Sequence, residues 1–299
     1  MGVRAPLTVL AGLVGVAAVA WASGAFAVHV AHAPTGCVPL RAGDRTVKVD
    51  GRDVLVHVPR GTTGPLPLVL ALHGAGESGP RFALDTGFSK LADREHFLVA
   101  YPSAGGRHPF WNISGRHGTR DHVAELDRSL DALTDAVCVD EARVFVTGVS
   151  NGGGFAARLG CELSGRLAGI AAVAGGYSSL PPCTPQRPLP VLEIHGTADH
   201  VVPYHGKPPN GAGSVDRWLA QWRRIDACPG TVWRRRIEPG ASEVKWTGCA
   251  QQTVVEHVRL AGQRHGWPGG DRMDPPPAPF SATWWTWAFF RGLPGRRPA

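Results

Sequence analysis

Arg143-Val144-Phe145-Val146-Thr147-Gly148-Val149-Ser150-Asn151-Gly152 reads as a strand, a tight turn and the opening of a helix. Val144, Phe145 and Val146 form a short apolar run of the kind buried inside a sheet. The Gly148-Val149-Ser150-Asn151-Gly152 pattern follows at once, and Asn151–Leu159 then reads as a helix. In such a strand–turn–helix the serine stands on a strained corner, and the flanking glycines let neighbouring backbone pass close. The pattern alone carries little in a chain with 39 glycines. Its position between a buried strand and a helix gives it weight.

Reading outward, the same alternation recurs. Thr46–Val49 and Val54–Val58 read as an antiparallel hairpin joined by the four residues Asp50-Gly51-Arg52-Asp53. Pro67–Leu72 is a strand buried on both faces, residues 81–95 are helical, and Phe97–Tyr101 is a strand. Asp121–Val137 is an amphipathic helix, with Val123, Leu126, Leu130, Leu133 and Val137 spaced by three or four. Further strands are Leu167–Val173, Pro190–Ile194 and Val254–Leu260, and further helices Val215–Ile225 and Ala282–Arg291. Apolar strands alternating with helices define an α/β chain, a mostly parallel sheet with helices on both faces.

The length of 299 residues with 43% hydrophobic content excludes global disorder. The 39 Gly and 26 Pro have no triplet period, which excludes collagen and leaves a loop-rich globular protein. The formal net charge is 31 − 24, or +7, with only four lysines. The arginines are scattered apart from Arg234-Arg235-Arg236 and Arg296-Arg297. Scatter argues against a nucleic-acid groove, which needs a basic stripe with interleaved aromatics.

Arg4 precedes an uncharged run from Ala5 to Val28 that ends in small residues. Residues 1–33 are therefore expected to be a secretory signal peptide, with an uncleaved membrane anchor as the alternative. Residues 37–293 are expected to be the catalytic domain and 294–299 a flexible tail. Six cysteines in an exported chain imply disulfides, for which 15 connectivities exist. Proximity favours Cys161–Cys183 and Cys228–Cys249, leaving Cys37–Cys138. No Cys-x-x-Cys spacing points to structural zinc. The expected location is extracellular.

Several residues carry chemistry. His73-Gly74-Ala75-Gly76 follows the strand Pro67–Leu72. Its backbone, with that of Asn151, could bind an oxyanion through the Ala75 and Asn151 amides. His265 lies in a Gly/Pro loop after Val254–Leu260, and Asp199 in a loop after Pro190–Ile194. Loops at the carboxyl ends of strands are where α/β proteins place catalytic groups. The order Ser150…Asp199…His265 is that of a nucleophile, an orienting acid and a base. His195 and His200 are rival histidines too near Asp199 in sequence to complete this order. Asp216 is a rival acid, but it opens a helix, where a carboxylate has a structural use. Trp111, Tyr204 and Trp267 fall in loops near the expected site and are candidates for stacking on a substrate. Such a set suits acyl transfer to the serine through an acyl-enzyme, and no metal or cofactor is expected.

These stretches resemble the polyhydroxybutyrate depolymerase / feruloyl esterase family of secreted α/β-hydrolases, carbohydrate esterase family 1-like. The matching segments are Leu72-His73-Gly74, Tyr101-Pro102, Trp111-Asn112, Val146 to Gly153, His195 to Asp199 with Val202-Pro203-Tyr204, and His265 to Gly269. They run in family order over nearly the whole chain after the signal. The resemblance implies the α/β-hydrolase fold, Ser150 as nucleophile, Asp199 as acid and His265 as base. It also supports the Cys161–Cys183 and Cys228–Cys249 pairings. Two residues depart from the family pattern: Arg264 replaces the usual Gly before the histidine, and His122 stands where a second Asp is common. The implied partner is an ester substrate, either a polyester oligomer or an esterified polysaccharide. Acyl transfer to a cell-envelope hydroxyl is the alternative reaction for the same residues, and a polymer-binding protein with a degenerate site the alternative from another class.

Overall fold

The structure, a computed structural model, describes residues 1–2, 41–116, 120–270 and 280–296. The expected signal segment from residue 3 onward, Cys37, the proline run 275–279 and residues 297–299 lie outside the described residues. Everything below belongs to one compact unit, Cys37–Ala299. No helix among the described residues is long and apolar enough to cross a membrane.

The chain begins with β1 (Gly43–Val49) and β2 (Arg52–Val58), paired antiparallel. Val49 pairs with Arg52, so the link is the two-residue turn Asp50-Gly51 and not the four-residue loop expected. Asp50 (φ 48°) and Gly51 (φ 76°) both take the left-handed conformation. A two-residue turn of this hand matches the twist of the strands it joins. Then come β3 (Leu66–Leu72), α1 (Gly79–Thr86), α2 (Phe88–Glu95), β4 (Leu98–Tyr101), α3 (His122–Ala136) and β5 (Val139–Val149). The expected single helix over 81–95 is two, because Gly87 turns left-handed at φ 68° and serves both as the end of α1 and the start of α2.

The second half contains α4 (Asn151–Glu162), β6 (Gly169–Val173), β7 (Val191–Gly196), α5 (Val215–Ile225), β8 (Val232–Glu238), β9 (Ala241–Trp246), β10 (Val255–Leu260) and α6 (Ala282–Arg291). All ten strands form one sheet in the order β1-β2-β4-β3-β5-β6-β7-β10-β9-β8. The strands from β4 to β10 in this order are parallel, and antiparallel hairpins extend both edges. The β8–β9 hairpin was not expected.

Alternation along β3 divides the core. Leu68, Leu70 and Leu72 join α3, α4 and α5 on one face, with Phe155, Trp218 and Trp222. Val69 and Ala71 join α1, α2 and α6 on the other, with Phe82, Phe88 and Phe290. Residues i and i+2 share a face of a strand, so a run apolar at every position is what a strand covered on both sides requires. Two disulfides stand as expected. Cys161–Cys183 ties the end of α4 to the segment before β7, and Cys228–Cys249 closes the segment carrying β8 and β9. Each loop of this size stabilises by roughly 3 kcal/mol in the chain-entropy picture. Cys138 is also disulfide-bonded.

Chain order places the site. From β3 the chain moves to β4 on one side, then returns to β5 on the other. Such a reversal opens a crevice at the carboxyl ends of the two central strands. Ser150 directly follows β5, and the His73–Gly76 turn directly follows β3.

Candidate active site

Ser150 sits at the corner between β5 and α4 with φ 58° and ψ −117°, a conformation uncommon for a residue with a side chain. Its surroundings hold it there. Its N–H donates to Val173 O at 2.9 Å, and its carbonyl accepts from Gly154 N at 2.9 Å and Gly176 N at 3.2 Å. The corner demands glycine at 152. A Cβ there would lie 2.3 Å from Leu72 O and 2.4 Å from His73 O.

His265 and Asp199 converge on this corner from two other strand ends. Ser150 Oγ lies 2.9 Å from His265 Nε2, and His265 Nδ1 lies 2.7 Å from Asp199 Oδ2. The arrangement fits a hydroxyl donating to one ring nitrogen while the other N–H donates to the carboxylate. Asp199 Oδ1 accepts from the Val201 and Val202 amides at 2.9 and 2.8 Å. Burial would raise the Asp199 pKa. Hydrogen bonds from His195, His265 and the Val202 amide outweigh it and hold the carboxyl well below the usual carboxylate range. Asp199 is therefore a fixed anion behind the imidazole. The structure thus brings together three residues separated by 49 and 66 positions of chain.

The turn after β3 abuts the serine. A Cβ placed on Gly74 would lie 3.8 Å from Ser150 Cβ and 3.7 Å from Glu77 Oε2. Ala75 is exposed, and Asn151 directly follows the serine. His73 locks the turn from beneath. Its Nδ1–H donates to Gly74 O at 2.7 Å, and its Nε2 accepts from Ala104 N at 3.0 Å. Burial lowers the His73 pKa, in keeping with a neutral ring that both donates and accepts. Gly76 N donates to Pro109 O at 2.8 Å, which brings the 105–110 loop alongside. Glu77, a residue the sequence reading passed over, accepts from Gly74 N through Oε2 at 3.1 Å. Burial first, and then neighbouring Asp85, push its pKa up to about 7.

The three aromatics expected to stack on substrate are core residues instead. Trp111 is 1% exposed and stacks on Phe155 at 5.2 Å. Its Nε1–H donates to His73 O, while its backbone exchanges two hydrogen bonds with the Asn151 side chain at 2.7 and 3.1 Å. It is a strut that ties both proposed oxyanion turns together. Tyr204 is buried with its hydroxyl 2.7 Å from His257 Nε2. Trp267, 1% exposed, packs against Phe82 and Phe88 and donates to Thr283 Oγ1. None of the three presents a ring face to solvent. Loop position in the sequence could not distinguish a rim aromatic from one whose indole anchors the loop to the core. Phe110, 57% exposed, lies between Pro109, which accepts from Gly76, and Trp111, which binds Asn151.

Both departures from the family pattern are placed. His122 is buried under Trp111, accepting from Asn112 N at 2.9 Å and facing Ala104 O at 3.1 Å. It braces the loop that carries Trp111. Arg264 is exposed beside His265. Of the rivals, His200 is exposed and Asp216 lies in the first turn of α5. His195 is buried against Asp199 at 3.2 Å. Among the described residues no group of three His, Cys, Asp or Glu side chains is arranged to hold a metal ion.

The chain is similar to several known proteins. The family described as Esterase PHB depolymerase matches residues 53–179. A bifunctional acetylxylan esterase/xylanase of Neocallimastix patriciarum is 29% identical over 233 residues, 75% of this chain and 32% of that protein. Feruloyl esterase C of Emericella nidulans is 30% identical over 196 residues, 62% of this chain and 69% of that protein. The chain thus spans about a third of the length of the first relative. Among solved structures, an acetyl xylan esterase from Aspergillus awamori superposes with a TM-score of 0.58 at 13% identity, over 80% of this chain and 93% of that one. That likeness shows a shared α/β-hydrolase fold. With the ordered motifs and the match to a relative over most of its length, the chain belongs to the polyhydroxybutyrate depolymerase / feruloyl esterase family.

Proposed function

We propose that this chain is a secreted serine esterase that cleaves carboxylic esters through Ser150, His265 and Asp199. The observation that carries the reading is the continuous chain from Ser150 Oγ through His265 to Asp199, at 2.9 and 2.7 Å, on a strained corner at a sheet crevice. In this reading His265 takes the Ser150 proton as Oγ attacks the ester carbonyl. The Ala75 and Asn151 amides receive the oxyanion, and Asp199 holds the imidazole in the tautomer that accepts at Nε2. The C–O bond breaks, His265 gives its proton to the leaving alcohol, and an acyl-Ser150 ester remains. His265 then draws a proton from water as it attacks that ester, and returns the proton to Ser150 Oγ as the Oγ–acyl bond breaks and the acid leaves.

Two observations support acyl esters of polysaccharides as the substrate class. Relatives in the family are named acetylxylan and feruloyl esterases. Phe110 offers an exposed ring beside the oxyanion turn, where an aromatic acyl group could lie. The disulfides Cys161–Cys183 and Cys228–Cys249, the disulfide-bonded Cys138 and the expected leader support a place outside the cell.

The test is turnover of p-nitrophenyl acetate and labelling by a serine-directed phosphonate, in the wild type and Ser150→Ala. The variant should fold, lose labelling and lose roughly a million-fold in kcat. Retention of wild-type turnover by Ser150→Ala would end the reading. Methyl ferulate, acetylated xylan and hydroxybutyrate oligomers, compared by kcat/KM, then rank the substrate classes.

A further inference from the structure

Behind Asp199 lies a chain of buried polar side chains that ester hydrolysis as described leaves unused. The His195 Nε2 atom is 3.2 Å from Asp199 Oδ2 and 2.9 Å from Val202 O, and its Nδ1 is 2.8 Å from Glu193 Oε1. The side chains of Glu193, His195 and Asp199 have no solvent exposure. On the far side of Glu193, Tyr177 donates its hydroxyl proton to Oε1 at 3.2 Å. His257 Nδ1 comes within 2.7 Å of Glu193 Oε2, although its N–H is aimed at the Glu193 carbonyl at 3.2 Å. Its contact with the carboxylate is thus electrostatic. His257 Nε2 accepts from Tyr204.

The decisive feature is what His195 faces. Both ring nitrogens meet only acceptors: a carboxylate on one side, a carbonyl and a second carboxylate on the other. A neutral imidazole would aim a lone pair at one of them where no side chain is exposed to solvent, an arrangement that costs a large desolvation penalty. A doubly protonated ring satisfies every contact. It also gives two buried carboxylates a shared cation.

We propose that His195 is a positioning residue for the esterase reaction: a standing imidazolium, wedged between Glu193 and Asp199, that offsets part of the Asp199 charge and limits how tightly Asp199 retains a protonated His265. The inference rests on the reading of Ser150, Asp199 and His265 as the reacting set. Glu193 acts through His195. Burial works against the charged form of His195, but Glu193 and Asp199 push its pKa up to about 10. Burial would likewise raise Glu193, and its two histidines hold it below the usual carboxylate range. Other groups facing this site are His257 and Arg259 on β10, Tyr177 after β6, Tyr204 after β7, Asp216 on α5 and His265 itself. Among them only Arg259 brings a permanent positive charge, and it lies across the Tyr204 ring at 6.0 Å.

The sign follows from distance. Removing the His195 charge takes a cation from beside Asp199, while the opposing Glu193 anion is one residue farther from His265. The field at His265 becomes more negative and its protonated, inactive form is favoured. His195→Gln should move the acid limb of the kcat/KM profile upward by about half a pH unit. Turnover on the plateau should fall several-fold. The experiment measures p-nitrophenyl acetate hydrolysis from pH 5 to 9 in the wild type and His195→Gln. An acid limb unmoved in a folded variant overturns the proposal, because a packing role alone would lower the plateau without shifting the limb. Should His195→Gln not fold, the imidazole ¹⁵N resonances of the wild type decide. Both His195 nitrogens should stay protonated through pH 8, and a neutral ring overturns the proposal. A wild type that resists the phosphonate label would instead defeat the esterase reading itself, so the two failures are distinguishable.

Discussion

At the scale of single residues, Glu77 is a group outside the reacting set whose charge state bears on the site. Its carboxyl accepts from Gly74 N, and a point at the Gly74 Cβ position lies within 4 Å of both Glu77 Oε2 and Ser150 Cβ. Burial and Asp85 push its pKa up to about 7, so it gains a negative charge as pH rises through neutrality. An anion beside a developing oxyanion raises the barrier. Glu77→Gln keeps an oxygen for the Gly74 amide and removes the charge. The ratio of variant to wild-type kcat should therefore be near one at pH 5.5 and rise several-fold by pH 8.5, read from ester turnover at saturating substrate. A ratio independent of pH would show that the Glu77 charge is not felt at the reacting atoms. Nothing in the sequence marks Glu77, because its significance comes from a three-residue turn folding back on itself. Ser150, Asp199 and His265 were legible for the opposite reason. Each follows a buried strand, and strand ends can be read from apolar runs and glycine.

At the scale of elements, the corner between β5 and α4 depends on close backbone approach. Gly152 has an ordinary helical place, yet a Cβ there would meet Leu72 O at 2.3 Å and His73 O at 2.4 Å. These are backbone atoms at the end of β3 and in the turn proposed to bind the oxyanion, so neither can swing aside. Gly152→Ala must push α4 away from β3, and the Asn151 amide moves with it. Loss of one oxyanion donor costs about 100- to 1000-fold in rate. We expect kcat to fall by at least about 100-fold with KM changed far less, and a kcat near wild type would mean that the two turns need not touch. Helices α5 and α6 begin and end where periodicity placed them, because each buries one apolar face. The β8–β9 hairpin escaped notice because Trp233, Arg234, Arg235 and Arg236 are exposed, leaving no alternation of buried and polar positions to read. Those arginines suit an edge strand, where charge discourages pairing with another chain. The rim aromatics were misread for a related reason: sequence shows that Trp111 and Trp267 are in loops, but burial of a loop indole depends on what packs behind it.

At the scale of the whole molecule, one residue joins three parts of the fold at the end of the sheet away from the serine. Asp226 ends α5, where its N–H donates to Trp222 O at 2.8 Å. Its Oδ1 accepts from Leu189 N at 3.0 Å just before β7, and its carbonyl accepts from Ala250 N at 2.8 Å just before β10. The residue is fully buried, and its Oδ2 has no hydrogen-bond partner, the nearby Thr253 hydroxyl donating to Ala250 O instead. Burial raises its pKa to about 7 from an ordinary 3.8, against the lowering effects of the Leu189 amide, the neighbouring Thr253 hydroxyl and Arg187. Linkage then fixes the sign. Below about pH 4 the folded and unfolded chains both hold the proton, and the group opposes nothing. Between about pH 4 and pH 7 the unfolded chain releases the proton while the folded one retains it, so stability drains away as pH rises. Above pH 7 the penalty is complete, with a ceiling of roughly 4 kcal/mol for a shift of this size. Asp226→Asn keeps an acceptor for Leu189 N and cannot ionise. It should unfold at a higher urea concentration than the wild type at pH 8, and by a much smaller margin at pH 4.5. Equal margins at the two pH values would show that the three segments are joined without strain on the carboxyl. A variant less stable at pH 8 would show that the charged form has a partner at Oδ2 and that the joint is held together by ionisation.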